Sequence, residues 1–133
     1  MRIILISHGG FSKGALQAAS MIIGECDYMS AVGLEPEDDL ESMAAKIENE
    51  IVKNNAADEE ILILSDLFYG SPFNSVVPLI SNYKIRHITG MNLAMIIEAA
   101  NMVGTGEEME AIATVCLESG KEGVVDVNKF LDV

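Results

Sequence analysis

The feature that most constrains this chain is a run of four aliphatic residues, 3–6, that stops at Ser7, His8 and Gly9. An uninterrupted apolar run rich in isoleucine predicts a strand covered on both faces, as in parallel sheets with helices on each side. The polar residues then lie at the carboxyl end of the first strand, where open α/β sheets bind their ligands. We therefore expect His8 at a functional edge, with Gly9 letting backbone approach a ligand closely. A hydrogen-bonded structural histidine is the alternative.

The composition limits both the fold and the partners. A chain of 133 residues, 50% of them hydrophobic, predicts one domain over residues 1–133 that buries its own core. Its apolar runs fall well short of the roughly 20 residues that span a bilayer, and the amino terminus lacks the pattern of a signal peptide, so we expect a cytoplasmic protein. A net charge of −13 disfavours nucleic acid and anionic membrane surfaces, and favours a basic protein partner.

The metal-binding residue types are few. Cys26 and Cys116 are far apart in sequence, and so are His8 and His87, which gives no compact spacing of metal ligands. We expect no metal or cofactor, and two buried, reduced thiols. We interpret His87, in an alternating run, as an ordinary strand residue that no neighbour recruits for chemistry.

A second apolar run, residues 61–64, ends in Ser65 and Asp66 and so repeats the pattern of the first strand. If both strands run the same way in one sheet, His8 and Asp66 emerge at the same edge. The sequence therefore predicts that an imidazole and a carboxylate meet there.

The segment after Asp66 predicts a helix that begins at this edge. Gly70 supplies a turn, Ser71 can cap, and Pro72 fits the first turn of a helix that reaches about Ser81. Unpaired N–H groups at a helix start form a site for an anion. A plain cap without a ligand is the alternative for Ser71.

The rest of the chain alternates between strand and helix patterns. An acidic run at 35–39, with Pro36 in the first turn, predicts the solvated start of a helix. These patterns predict a single-domain open α/β sheet, mainly parallel, with helices on both faces. The further predicted helices cover about 12–24, 40–51, 93–103 and 109–120, and the further strands cover 28–34, 85–89 and 123–127.

The expected pairing of His8 with Asp66 has a chemical consequence. A carboxylate that accepts a hydrogen bond from one imidazole nitrogen fixes the tautomer and leaves a lone pair on the other nitrogen, which is then a nucleophile. The helix start at Ser71 offers a place for the charged oxygens of a phosphoryl group. The serines near these sites lack a G-x-S-x-G setting, so a phosphohistidine carrier is favoured over a serine hydrolase.

Several sequence blocks, in order along nearly the whole chain, resemble the IIA component of the mannose-type sugar phosphotransferase system. They are residues 7–9, 66–74, 90–93 and 118–123. The resemblance implies that His8 is phosphorylated at Nε2, with Asp66 as its partner and Ser71, with nearby backbone such as Gly9, as the phosphate cradle. Tyr69 departs from the family, which often has a second glycine there.

The resemblance also implies partners. The phosphoryl group would come from the phosphocarrier protein HPr and pass to a IIB component, with an indirect link to the membrane components IIC and IID. It further implies a homodimer in which an edge strand around Val124–Val127 is exchanged between subunits. Two alternatives are the phosphotransferase-linked subunit of dihydroxyacetone kinase and a non-catalytic α/β module that binds an anion.

Overall fold

The computed structural model describes the backbone of residues 1–133 and the side chains of all of them except Asn55. The strands are β1 (Arg2–His8), β2 (Met29–Leu34), β3 (Ile61–Ser65) and β4 (Ile85–Thr89). The α-helices are α1 (Phe11–Ile23), α2 (Leu40–Val52), α3 (Ser71–Val76), α4 (Leu93–Met102), α5 (Met109–Glu122) and α6 (Val127–Leu131), and 3-10 turns follow α2 (Lys53–Asn55) and α3 (Val77–Leu79). Among the described helices, none has the length and apolar character that crossing a membrane requires.

The described strands form one sheet in the order β2-β1-β3-β4, and all three pairings are parallel. Residues 3–6 of β1 and 61–64 of β3 are 0% exposed. One face of the sheet packs against α1, α4 and α5, and the other packs against α2 and α3. The predicted α/β sheet with helices on both faces is confirmed.

The strand order decides where the candidate site lies. The chain leaves β1 for β2 on one side and then returns to β3 on the other side of β1. The connections therefore diverge at the carboxyl ends of β1 and β3, and such a switch point opens a crevice in α/β sheets. His8 ends β1, and Asp66 directly follows β3.

The start of α2 differs from the prediction. Pro36 lies in a turn before the helix rather than in its first turn, and Asp39 occupies the N-cap. The Asp39 side chain accepts a hydrogen bond from the Ser42 N–H (2.8 Å), and the Ser42 hydroxyl accepts one from the Asp39 N–H (2.9 Å). This reciprocal cap satisfies two N–H groups at the helix start, so the helix begins at Leu40.

The predicted last strand is wrong for this chain as it folds alone. Residues 124–126 have no regular structure, and α6 follows them, with the Asp126 side chain accepting a hydrogen bond from the Lys129 N–H (3.3 Å). A strand exists only where a neighbouring backbone pairs with it, and the described sheet ends at β4. The segment leaves Val124 78% and Phe130 79% exposed. Exchange of this segment between subunits stays a prediction.

The turn after β1 crosses closely over β2. A Cβ atom on Gly33 would lie 2.2 Å from the Gly9 carbonyl oxygen, whereas a Cβ on Gly14 in α1 would meet no atom within 4 Å. Gly33 therefore allows the turn that follows His8 to pack down on the neighbouring strand.

We expect opposite effects from the same substitution at these two glycines. Gly33→Ala should lower the free energy of unfolding by ~1–3 kcal/mol, because backbone must shift to relieve the overlap. Gly14→Ala should raise it by ~0.5–1 kcal/mol, because alanine restricts the unfolded chain and suits a helix interior. Urea unfolding followed by circular dichroism measures both, and equal effects would contradict the close crossing.

Candidate active site

His8 is presented by a buried serine that precedes it. Ser7 is 0% exposed, and its hydroxyl oxygen accepts a hydrogen bond from the Ser12 N–H (2.7 Å). The Ser12 hydroxyl in turn donates to the Val32 carbonyl oxygen (3.0 Å). These bonds fix the start of α1 against the ends of β1 and β2, and His8, the last residue of β1, is exposed to solvent.

The His8 imidazole is held by Asp66. The Asp66 Oδ2 atom lies 2.7 Å from the His8 Nδ1 atom and 2.9 Å from the His8 backbone nitrogen. The other oxygen, Oδ1, accepts a hydrogen bond from the Leu67 N–H (2.9 Å). An ionised carboxylate only accepts hydrogen bonds, so in the neutral imidazole the proton is on Nδ1 and Nε2 carries the lone pair. The His8 side chain is 46% exposed and that of Asp66 13% exposed.

Gly70 forms the wall beside the Nε2 atom of His8. Its φ is +92°, and a Cβ atom there would lie 3.1 Å from His8 Nε2 and 3.0 Å from His8 Cε1. Only glycine both adopts this backbone conformation readily and leaves room for the ring. The loop after β3 therefore approaches His8 so closely that a side chain at Gly70 would crowd the ring.

The helix that starts at this wall is shorter than predicted. Gly70, and not Ser71, occupies the N-cap, while the Ser71 carbonyl accepts a hydrogen bond from the Ser75 hydroxyl (2.7 Å). The α-helix ends at Val76 and continues as a 3-10 turn that contains Pro78, which has no N–H to continue the α-helical pattern. The predicted capping role of Ser71 and the predicted helix end are wrong. Ser71 nevertheless follows directly on the residue that contacts His8.

Gly9 makes the turn out of β1. Its φ is +50°, and its N–H donates to the Leu34 carbonyl at the end of β2 (2.9 Å). The predicted site residues His8, Gly9 and Asp66 are thus gathered at one edge of the sheet, with Ser71 one residue beyond Gly70.

A second histidine is bound close to this edge, which the sequence did not reveal. His87 Nε2 lies 2.8 Å from the hydroxyl oxygen of Ser65, and Phe73 packs against the imidazole with ring centroids 5.4 Å apart. Burial lowers the pKa of His87 to about 4, so the imidazole is neutral at neutral pH. Ser65 and His87 are polar residues on one face of adjacent strands, and this pairing could have indicated their contact. Recognising it requires knowing that β4 lies next to β3.

Metal ligation finds no support in the described side chains, where no group of three or more His, Cys, Asp or Glu is placed to hold an ion. Cys26 and Cys116 are both free thiols, Cys116 buried and Cys26 only partly so. Burial raises the pKa of Cys116 to about 11, which keeps it protonated and unreactive.

The contact of Gly70 with His8 can be tested with two matched alanine substitutions. Gly70 and Gly90 both have a positive φ, +92° and +75°, but a Cβ on Gly90 would meet no atom within 4 Å. Each substitution should cost ~1–3 kcal/mol of stability through backbone strain. Only Gly70→Ala should shift the His8 ring resonances in ¹H–¹⁵N NMR spectra. Equal ring spectra for both variants would contradict the contact.

The chain is similar to proteins of a known family. The family described as "PTS system fructose IIA component" matches residues 2–116. A sorbose-specific EIIA component of the phosphotransferase system (PTS) from Lacticaseibacillus casei is 34% identical over 101 residues, which cover 75% of this chain and 72% of that protein. The solved mannose/sorbose-specific IIA subunit from Enterococcus faecalis has a TM-score of 0.83 at 34% identity, covering 93% of this chain and 92% of that one.

A longer relative shows the same relationship. The mannose-specific EIIAB component of Escherichia coli K12 is 25% identical over 125 residues, which cover 92% of this chain and 38% of that protein. The family match spans most of the chain, and the resemblance expected from its sequence blocks is confirmed. This chain belongs to the mannose-type IIA family of the phosphotransferase system.

Proposed function

We propose that this chain is a phosphocarrier that accepts a phosphoryl group on His8 Nε2 from the phosphocarrier protein HPr and passes it to a IIB component. The observation that carries the proposal is the 2.7 Å contact between His8 Nδ1 and Asp66, which leaves Nε2 as an exposed nucleophile. Membership of the IIA family supports phosphotransfer as the reaction class.

The transfer step balances without a cofactor. The Nε2 lone pair of His8 attacks phosphorus, and a new N–P bond forms as the N–P bond of the donor phosphohistidine breaks, its electron pair returning to the donor ring. The His8 ring gains positive charge during the attack, and the Asp66 carboxylate stabilises that charge at 2.7 Å. Transfer to the IIB component is the same step in reverse, with His8 as the leaving group.

The phosphoryl oxygens would bind beside the ring. The Gly70 backbone stands next to Nε2, and the partly buried Ser71 follows Gly70 in the chain. Gly9 directly follows His8 and begins the turn out of β1. We assign the Ser71 hydroxyl as a donor to these oxygens. The N–H of Gly9 is already bound to the Leu34 carbonyl, so we assign Gly9 as the residue without a side chain that lets the phosphoryl group approach closely.

The surface around the site suits successive protein partners. Phe11, Phe68 and Tyr69 belong to the segments next to His8 and Gly70 and are 57%, 72% and 69% exposed. Exposed aromatic side chains are typical anchors of protein interfaces, and a net charge of −13 attracts a basic partner. We place the reaction in the cytoplasm, with the membrane components IIC and IID reached only through IIB.

The first test of this function is phosphorylation in a reconstituted system. Incubation with enzyme I, HPr and phosphoenolpyruvate should add one acid-labile phosphate to the intact chain, measured by mass spectrometry. His8→Gln should accept none, because its amide nitrogen is not a nucleophile. Asp66→Asn should accept phosphate at least ~10-fold more slowly, because the tautomer and the developing charge lose support.

The controls separate the alternatives. A phosphate that persists on folded His8→Gln would overturn the assignment of His8. A wild-type chain that binds inorganic phosphate but accepts no phosphoryl group would instead be an anion-binding module. Onward transfer to a IIB component, and not to the other subunits of a dihydroxyacetone kinase, distinguishes the two phosphotransferase readings.

We also propose that the chain works as a homodimer joined through residues 124–127. The segment leaves Val124, Val125 and Val127 exposed (78%, 53% and 58%), and β4 is an outer strand of the sheet. Residues 124–126 lie outside the regular elements, and pairing such a segment with an outer strand would satisfy backbone hydrogen-bonding groups of both. Between two copies the exchange would be reciprocal, which closes the assembly at two subunits.

The proposed dimer can be tested by introducing a charged side chain into the exchanged segment. Wild type should sediment as a dimer at micromolar concentration in analytical ultracentrifugation. Val125→Lys should shift it toward the mass of one chain, because a buried lysine has no partner in the paired strand. Met21→Lys, at an 84% exposed side chain of α1, is the matched control and should leave the dimer intact. A monomeric wild type would contradict the proposal.

A further inference from the structure

Three side chains from different elements meet beneath the loop that carries Asp66. Ser65 ends β3, His87 lies in β4, and Phe73 lies in α3. The Ser65 hydroxyl is 2.8 Å from His87 Nε2, and the Phe73 ring packs on the same imidazole at a centroid distance of 5.4 Å and an interplanar angle of 30°. A single imidazole therefore contacts both a strand end and a helix.

These two contacts lie at opposite ends of the segment 65–73. Ser65 immediately precedes Asp66, and Phe73 lies three residues after Gly70. Within the segment, Phe68 packs on Phe73 with ring centroids 5.3 Å apart. The loop thus leaves from one contact of His87 and returns to the other, which restricts how far the residues between them can move.

The register of the sheet explains why His87 can reach Ser65. His87 pairs with Ile63 in the parallel ladder, and Ser65 is two residues beyond Ile63 on the same face. The carbonyl of Ser65 also accepts a hydrogen bond from the Met91 N–H (2.9 Å), so the end of β3 is bound to the β4 side by backbone as well.

The distances around His8 allow the loop that carries Asp66 and Gly70 little movement. Asp66 Oδ2 is 2.7 Å from His8 Nδ1, and the Gly70 backbone is so near that a Cβ atom would lie 3.1 Å from Nε2. A shift of about 0.5 Å in the loop would stretch the hydrogen bond to the long end of its normal range or press Gly70 on the ring.

We propose that His87 is a positioning residue, which holds the segment 65–73 at both ends and so sets Asp66 and Gly70 relative to His8. It touches neither the phosphoryl group nor His8. The effect on transfer rests on the proposed function, whereas the effect on the His8 tautomer does not. Burial keeps the ring neutral at neutral pH, so its bond to the serine hydroxyl is made without a charge.

The experiment is a double-mutant cycle on the hydrogen bond. Ser65→Ala removes the hydroxyl, and His87→Phe removes the ring nitrogen while it keeps an aromatic ring against Phe73. Two readouts are measured at pH 7.5: the initial rate of phosphoryl transfer from phosphorylated HPr, and the ¹H–¹⁵N ring spectrum of His8, which reports the proton on Nδ1. Arg86→Ala, at the exposed neighbour of His87, is the control.

Each single variant should slow transfer about fivefold, equivalent to ~1 kcal/mol in the barrier. The double variant should be no slower than the slower single variant, because both remove the same bond. The Nδ1 proton resonance of His8 should broaden or shift in all three variants and stay unchanged in Arg86→Ala.

The outcomes that overturn the proposal are distinct from those that overturn the function. Lower stability with an unchanged His8 ring spectrum would make His87 merely structural, and strictly additive rate effects would show that the two residues act separately. If His87→Phe does not fold, Ser65→Ala alone decides through the same ring spectrum. A wild type that accepts no phosphate removes the proposed function, while the tautomer readout still decides the positioning role.

Discussion

The structure depends on the burial of β1 and β3 on both faces. Residues 3–6 and 61–64 are fully enclosed by helices above and below the sheet, which leaves no place for a polar side chain along these strands. Unpaired polar groups in such an interior cost free energy. Polar residues are therefore confined to the strand ends, and the two central strands end side by side. The meeting of His8 and Asp66 is a consequence of this packing as much as of their own hydrogen bond.

Glycine sets how closely the loops approach that meeting point. At Gly33 the missing Cβ lets the Gly9 carbonyl lie against β2, and at Gly70 it lets backbone lie against the imidazole. The imidazole thus has a wall of backbone at Gly70, and the turn that follows His8 is held against β2. Backbone held by strands and a helix changes position less than long side chains do, so the geometry at Nε2 is defined before any partner binds.

The sequence predicted the central strands, the sheet type and the His8–Asp66 pair, because continuous apolar runs that end in polar residues depend on local pattern alone. It did not predict the contact of Ser65 with His87, since that contact requires β4 to lie next to β3 in a particular register. The helix caps were also misjudged: the N-cap of α2 is Asp39, which leaves Pro36 outside the helix, and the N-cap of α3 is Gly70 rather than Ser71. At α2 the reciprocal bonds of Asp39 and Ser42 decide where the helix starts, and at α3 the N-cap is a glycine with a positive φ and no side-chain bond.

The exposure of His8 bears on how long a phosphoryl group could stay there. With 46% of the side chain in solvent, water has access to the ring and to an N–P bond on Nε2. In the proposed cycle, the lifetime of the phosphorylated form would then follow from the intrinsic chemistry of phosphohistidine and from how soon an acceptor arrives. Such a site suits a relay in continuous turnover, in which the charged state is handed on at once, and not a reservoir that stores phosphate between bursts of demand.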